Sequence, residues 1–349
     1  MTNPNAWLLS DLYKIPKNGI KVFSTFACGG GSTMGYKLAG CEVIGANDID
    51  PEMAYHYKLN HNPKYYYLCP VKDLLEKDLP NELFNLDILD GSPPCSAFSM
   101  AGSREKSWGK EKHFREGQAK QVLDDLFFDY LDLVEYLNPK VAIAENVKGL
   151  IQGNAKGYVK MIMKRFVEIG YNCQLFLVNA ADCGVPQKRE RVFFIALRND
   201  IVKPKLILNP NHKWISAGEA TSDLQVLTDD EVRETTPTGI DLDWWHLTKQ
   251  GDDYGDTIRR LGKGEEKYWN HIRWNRDGVR RTLAATHEQF NHWDVCRKLT
   301  FREWKRLGSF PDDYQAKTDK IGKYMIGMSV PPKMMYEVAK AVINQWLNI

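Results

Sequence analysis

The sequence predicts an α/β protein built on a doubly wound, mostly parallel sheet, with a smaller irregular second domain. Three observations predict it. Short β-rich runs alternate with longer helical stretches through the first 200 residues, the pattern of βαβ units. Those runs are almost continuously apolar, as strands covered on both faces must be. From Ile201 to about Trp293 the periodicity fades, and Lys203-Pro204, Asn209-Pro210 and scattered Trp and Arg residues take over.

In chain order, strands are expected at Lys21–Phe26, Glu42–Asn47, Tyr65–Cys69, Leu86–Leu89, Val141–Ala144, Gln174–Val178 and Val192–Ala196. Helices are expected over Gln121–Leu137 and Tyr158–Ile169. The last segment, Pro332–Leu347, spaces Met334, Met335, Val338, Ala339, Val342 and Ile343 along one helical face. The large domain is therefore placed at 1–198 plus 322–349, with the C-terminal helix returning to pack on it. The small domain takes 199–321.

Composition narrows the function classes. The chain has 349 residues, 43% hydrophobic and 26% charged, ordinary values for a folded protein of about two domains. No apolar run approaches the roughly 18 residues that span a bilayer. MTNPNAWLLSDLYK has no basic stretch ahead of its short apolar one, so no signal peptide is expected. Lys+Arg 47 against Asp+Glu 45 leaves +2, so a polyanion must be held by a local patch. The seven cysteines are odd in number and lack C-x-x-C spacing, which suits the reducing cytoplasm and speaks against a zinc ribbon. His287-Glu288 and His292 miss the zincin string, because a spacing of five does not share a helix face. No metal is expected, and a monomer is.

The first strand runs into Phe26-Ala27-Cys28-Gly29-Gly30-Gly31-Ser32 and then Gly35. Glycines after a first strand let a ligand approach the backbone and the amides of a helix start. The spacing is not G-x-G-x-x-G, and no Gly-Lys-Ser/Thr follows, so a P-loop is excluded. The next strand ends in Asn47-Asp48-Ile49-Asp50, and an acid about 20 residues past such a turn is placed to accept from ribose hydroxyls. Together these indicate a nucleoside cofactor, a nicotinamide or S-adenosylmethionine. Asp48 and Asp50 equally suit capping of a helix that starts at Pro51.

Leu86–Leu89 runs into Asp90-Gly91-Ser92-Pro93-Pro94-Cys95-Ser96. The carboxyl end of a parallel strand opens onto the ligand crevice. Two prolines stiffen the turn and fix the direction of the Cys95 side chain, whose thiolate is a strong nucleophile. The other cysteines read as buried packing. Val141–Ala144 delivers Glu145, a half-desolvated acid able to donate or share a proton. Further on, Gln187-Lys188-Arg189-Glu190-Arg191 puts Arg189 and Arg191 on one side of an extended chain. Paired guanidinia suit a phosphate or an anionic ring edge.

GSPPCSAFS, AENV and VPQKRER, in this order behind the glycine-rich turn, resemble the cytosine-C5 DNA methyltransferases. RKLTFREWKRLGSFP, from Arg297 to Pro311, resembles that family's penultimate block, and YMIGMSVPP, from Tyr324 to Pro332, its last. The likeness covers about residues 20–198 and 281–340. It implies a Rossmann-like, S-adenosylmethionine-dependent methyltransferase of the bacterial or phage restriction–modification type. The catalytic, cofactor-binding domain would be 1–198 plus 322–349, and 199–321 the target-recognition domain and hinge.

The resemblance also implies the chemistry. The Cys95 thiolate adds to C6 of a cytosine flipped out of duplex DNA, which makes C5 nucleophilic enough to take a methyl group. Glu145 holds the N3 proton and the exocyclic amine, Arg191 grips the O2 edge, and Arg189 supports it. Loss of the C5 proton then expels Cys95 and leaves 5-methylcytosine. For S-adenosylmethionine the resemblance implies Phe26, Cys28, Gly30, Asp48, Ile49, Leu126 and Ser329, with Asp48 on the ribose and Ile49 on the adenine.

The chain departs from the family pattern in places. Ser24-Thr25-Phe26-Ala27-Cys28 replaces the usual Asp-Leu-Phe-Ala/Ser-Gly, and Met328 stands where asparagine is common. Pro70-Val71 stands where Asp-Ile is usual, leaving Asp73 as the substitute for the adenine amine contact. The basic, glycine-containing stretch from Ser99 to Gln121 reads as a lid over the flipped base. Arg259, Arg260, Lys263, Lys267, Arg273, Arg276, Arg280 and Arg281, interleaved with Tyr268, Trp269 and Trp274, read as the DNA-reading patch. One rival is a tRNA cytosine-C5 methyltransferase, whose Cys-Phe-Thr string is missing. The other is a non-catalytic DNA-binding relative, against which Cys95, Glu145, Arg189 and Arg191 speak. A nicotinamide dehydrogenase explains the glycine turn and nothing after it.

Overall fold

The computed structural model describes residues 3–94, 111–112, 121–122, 125–237, 241–263, 272–285 and 291–347. Cys95 and most of the expected lid lie outside the described residues. In chain order, β1 (Lys21–Thr25) leads into α1 (Gly31–Leu38), β2 (Glu42–Asp48) into α2 (Pro51–His61), and β3 (Tyr65–Leu68) closes this half. The second half opens with β4 (Ile88–Gly91), followed by two short strands, β5 (Glu111–Lys112) and β6 (Gln121–Val122), and α3 (Leu126–Leu137). Next come β7 (Val141–Val147), α4 (Lys156–Glu168), β8 (Tyr171–Asn179), β9 (Gln187–Lys188) and β10 (Glu190–Arg198). Then follow α5 (Ala217–Ala220), α6 (Asp229–Thr235), α7 (Asp241–Leu247), α8 (Tyr254–Arg260), β11 (Arg280–Arg281), α9 (Phe301–Leu307) and α10 (Asp319–Met328). Last is α11 (Pro332–Val342), which continues as a π-helical turn over Ile343–Leu347.

The seven strands expected from the sequence form one sheet in the order β3-β2-β1-β4-β7-β10-β8. Pairing is parallel from β3 through β7, and β10 runs antiparallel to both its neighbours. The reversal follows from connectivity: Asn179 of β8 sits opposite Glu190 of β10, so the two are arms of one hairpin. The chain winds outward from β1 to β3 and returns on the other side of β1 as β4. That reversal of direction is a topological switch point, and the crevice beyond it is where α/β sheets bind ligands.

Local sequence fixes the ends of these elements. Pro51 occupies the first helical position of α2, where no N–H is needed. Asp50 caps that helix by accepting from the amides of Glu52 (2.8 Å) and Met53 (3.3 Å). One helix starts later than periodicity suggested. The expected helix at Gln121 begins at Leu126, because Gln121 and the β-branched Val122 pair antiparallel with Lys112 and Glu111.

The chain divides into two compact units. The larger comprises Ser10–Asn179, Glu190–Asn211 and Pro332–Ile349. Its sheet is buried on both faces: Val22, Phe23, Ile88, Leu89, Val141, Ile143 and Val192 are all fully enclosed. A Cβ on Gly35 would stand 2.5 Å from Met335 Cβ and 2.7 Å from Pro332 O, so only glycine lets α1 and α11 approach so closely. The smaller unit comprises Met1–Leu9, Ala180–Arg189 and His212–Pro331. Arg306 anchors it by pairing with both Asp223 (2.8 Å) and Asp312 (2.6 Å), and Arg297 pairs there with the buried Glu303 (2.8 Å).

These boundaries differ from the contiguous division at 199–321. Asn3 bonds the Glu219 and Ala220 carbonyls and the Asp223 carboxylate, so the amino terminus groups with the smaller unit. Ala180–Arg189 does so too, with Thr282 Oγ1 donating to Lys188 O (2.9 Å). The return to the larger unit comes at Pro332, not near Gly322, since Gly322 packs directly on the Phe301 ring within the smaller unit.

Candidate active site

The switch point brings two expected site segments side by side in the larger unit. Ser24 registers with Asp90 and Thr25 with Gly91, so the glycine turn after β1 and the Pro-Pro-Cys turn after β4 leave the sheet at one level. On the other flank Asp90 registers with Ile143 and Gly91 with Ala144, which places Glu145 just beyond. Asn146 ties the end of β7 to the turn after β4, its side-chain amide donating to Pro93 O (3.0 Å).

The glycine turn is tightly bent. Phe26 (φ 52), Cys28 (φ 47) and Gly30 (φ 81) all adopt left-handed backbone, uncommon for the first two. Gly30 could carry no side chain, since a Cβ there would stand 2.1 Å from His61 Nε2. Asp48 accepts from the amides of Cys28 (2.7 Å) and Asp50 (2.9 Å), and burial raises its carboxyl above the ordinary range against those donors. The two acids thus divide the readings: Asp50 caps α2, and Asp48 braces the turn. Ile49 and Phe26 are half-buried, and Leu126 is buried at the start of α3. Asp73 is half-buried in the turn after Pro70, its amide donating to Pro70 O (3.1 Å).

Glu145 is buried at the end of β7, where Arg191 Nε meets its carboxylate at 2.9 Å. Burial lowers the proton affinity of the Arg191 guanidinium, and Glu145 counters that. Arg189 has other partners. Within the smaller unit it donates to the carbonyls of Leu283 (3.2 Å) and Gly327 (2.9 Å). The two guanidinia expected to act as a pair are therefore held by different groups. Ser329, also in the smaller unit, is buried, and its hydroxyl has no hydrogen-bond partner among the described residues.

The profile of the C-5 cytosine-specific DNA methylases matches residues 20–344. The chain belongs to that family. The methylase is accordingly a DNA (cytosine-5-)-methyltransferase. It is 28% identical to the type II methyltransferase M.NgoPII of Neisseria gonorrhoeae, with 93% of this chain and 96% of the relative covered. It is 29% identical to M.Sau96I of Staphylococcus aureus, covering 97% and 79%. Among solved structures, a prophage-encoded Escherichia coli protein described as a DNA modification methyltransferase shares the fold, with TM-score 0.68, 21% identity and coverage of 95% and 100%. A variant of Spodoptera frugiperda DNMT2 does so at TM-score 0.62 and 16% identity, covering 93% and 100%.

The methylase uses much of its basic segment internally. Arg273 stacks on Trp245 (3.7 Å) and Arg280 on Trp274 (3.5 Å), and both serve the fold of the smaller unit. Arg259 pairs with Asp256, Arg260 with Asp252 (3.4 Å) and Arg276 with Asp294 (3.9 Å). Arg281 is exposed and registers with the equally exposed Lys188 on β9. Tyr268, Trp269 and Lys267 lie outside the described residues, as do His287 and Glu288. His292 is buried, its Nδ1 accepting from the amides of Asp294 and Val295 (both 3.2 Å). Among the described residues no group of three metal-type ligands assembles, and no helix is long and apolar enough to cross a membrane.

Sequence reasoning passed over two features. Tyr66 buries a hydroxyl with no hydrogen-bond partner among the described residues, where Asp48, Cys28 and Asp50 all act on it. In the sequence Asp90 reads only as the opening of the turn after Leu86–Leu89. It is a buried acid held by two hydroxyls, Ser24 (2.7 Å) and Tyr36 (3.1 Å). Its apolar run gave no signal, and only the register reveals it.

Proposed function

We propose that the methylase transfers a methyl group from S-adenosylmethionine to C5 of a cytosine flipped out of a specific duplex DNA sequence, with Cys95 as nucleophile. The observation that carries this is the buried Glu145–Arg191 pair, set by strand register beside the Gly91-Ser92-Pro93-Pro94 turn that leads to Cys95. The Cys95 thiolate bonds to C6 while Glu145 supplies a proton to N3, which makes C5 an enamine carbon able to attack an electrophilic methyl group. A base removes the C5 proton, the C6–S bond breaks so that Cys95 leaves as thiolate, and the N3 proton returns to Glu145, which restores the pyrimidine. Arg191 orients Glu145 and faces the O2 edge, and Arg189 holds the chain beside it through its two carbonyl bonds.

The residues present fit the methyl donor. Asp48 keeps lone pairs for a ribose, the left-handed turn exposes backbone at Gly30, and the Tyr66 hydroxyl, without a hydrogen-bond partner among the described residues, needs a polar one. Phe26, Cys28, Ile49 and Leu126 would complete its walls. When bound, S-adenosylmethionine supplies a methyl group activated by positive sulfur. The larger unit would carry cofactor and catalysis, and the smaller one target recognition, all on one chain as a monomer in the cytoplasm. Its type II relatives make modification within a restriction–modification system the natural setting.

The test is a covalent trap. Duplex DNA containing 5-fluorocytosine should give a denaturation-resistant adduct with wild type and none with Cys95→Ala. Labelled methyl transfer to duplex DNA against tRNA separates the two polymers. Preference for tRNA, or no adduct at all, would sink the proposal.

A further inference from the structure

The short ladder of β9 and β11 in the smaller unit holds two cations side by side. Gln187 registers with Arg280, and Lys188 with Arg281, in parallel pairing, so the two strands turn in and out together. The inward pair is locked. The Gln187 side chain donates to Leu307 O (3.2 Å) and accepts from the Leu283 amide (2.9 Å), while Arg280 lies on the Trp274 ring. Just past the ladder, Thr282 Oγ1 closes onto Lys188 O (2.9 Å). The outward pair, Lys188 and Arg281, is exposed.

Like charges side by side across a ladder repel, so this pair weakens the strand contact on which it sits. Neither cation meets an acid within ion-pair distance among the described residues, whereas Arg297, Arg302 and Arg306 of the same unit all do. Lys188 is held on an indole instead. Its Nζ stands 4.7 Å from the centroid of Trp214, whose ring is itself exposed. Asp182 fixes that ring by accepting from Trp214 Nε1 (2.7 Å), and its carbonyl accepts from the His212 amide (2.8 Å). A carboxylate beside Lys188 would cancel its charge. An aromatic face restrains the ammonium and leaves the charge available to a ligand.

We propose that Lys188 and Arg281 form a clamp for consecutive phosphates of one strand of a DNA duplex, with Trp214 as the residue that positions Lys188. The inference rests on the duplex-DNA reading above. The two side chains start one strand spacing apart, about 4.8 Å. Phosphates follow one another about every 3.4 Å of axis along a DNA strand, so both side chains can be met at once. Lys188 brings a compact point charge and Arg281 a planar fork. Contacts to phosphate fix the register of a protein on the duplex and carry no sequence information. This face therefore holds the polymer, and base reading falls to other residues.

The test is fluorescence-anisotropy titration of two labelled duplexes of unrelated sequence across a salt series. Wild type is compared with Lys188→Gln, Arg281→Gln, the double variant, Lys188→Arg and Trp214→Leu. Each single glutamine variant should reduce the slope of log affinity against log salt by about one, and the double variant by about two, equally on both duplexes. Lys188→Arg keeps the charge and should keep the wild-type slope, which separates loss of charge from loss of fold. Trp214→Leu keeps both charges, so its slope should stay while affinity falls about threefold at every salt concentration. Unchanged slopes in the glutamine variants, or a loss confined to one duplex, overturn the inference. Undiminished affinity in Trp214→Leu overturns the role given to that ring. Failure of wild type to bind either duplex removes instead the duplex-DNA reading beneath it.

Discussion

Replacing Gly30 by alanine is the sharpest local test of how the glycine turn is built. A Cβ at this position would lie 2.1 Å from Nε2 and 2.4 Å from Cδ2 of His61, so the imidazole has to move. That ring is 4% exposed, packs tilted against Tyr57 with centroids 4.7 Å apart, and donates from Nε2 to Gly29 O (3.2 Å). Burial, helped by the Lys37 charge, lowers its proton affinity to about 3, so it is neutral at working pH and its displacement is a packing event. Left-handed backbone (φ +81) costs a non-glycine residue about 1–2 kcal/mol. Losing the hydrogen bond costs about 1 kcal/mol, and repacking the ring about 1–3 kcal/mol. The whole is roughly 3–6 kcal/mol. In a His61→Ala background the clash disappears and only the backbone component should remain. Urea denaturation followed by circular dichroism on the four proteins of this cycle measures the coupling, expected at about 2–4 kcal/mol. Equal cost of Gly30→Ala in both backgrounds would refute the reasoning.

Other perturbations have defined outcomes. Arg191→Ala leaves the buried Glu145 without its 2.9 Å counterion and should destabilise the protein by about 3–5 kcal/mol, read by the same denaturation. Stability itself should depend on Asp90. Its native carboxyl titrates at about 7 against 3.8 as the ordinary value, so the folded state binds the extra proton between them. The associated stability is present below about pH 4 and is lost as pH rises through about 7, amounting to about 4 kcal/mol. Asp90→Asn should flatten that slope in a pH series of denaturation midpoints, and an unchanged slope contradicts it. Arg280→Ala should lower stability by about 1–3 kcal/mol, because it strips the cation from the Trp274 ring. Arg281→Ala should leave stability alone and reduce the salt slope of DNA binding by about one, measured by filter binding.

Much of the sheet was legible because strands buried on both faces must be apolar throughout, which is what Val141–Ala144 and Val192–Ala196 display. Segment ends were less so: β7 extends to Val147 and β8 starts at Tyr171, since ladders continue past the last apolar residue. Antiparallel β10 was not marked by its own residues, because a buried strand reads the same in either direction. The site segments stood out through Pro-Pro-Cys, Glu-Asn-Val and the glycine run. What those strings could not show was partnership. Arg273 and Arg280 carry the same letter as Arg281, yet the first two lie on tryptophan rings and the third is exposed. Asp90 and Ser24 are 66 positions apart, and only sheet order makes them neighbours.

The non-contiguous make-up of the smaller unit bears on protein engineering. Five successive residues, Gln187 to Arg191, are divided between two folding neighbourhoods after Arg189. A chimaera that grafts only His212–Pro331 onto a foreign scaffold would strand the recipients of Asn3 at Glu219 and Ala220. It would also deprive Leu283 of its Gln187 and Arg189 bonds. On the proposal that the smaller unit carries target recognition, cassette exchange calls for three pieces moved together, with one junction falling inside the Gln-Lys-Arg-Glu-Arg string itself.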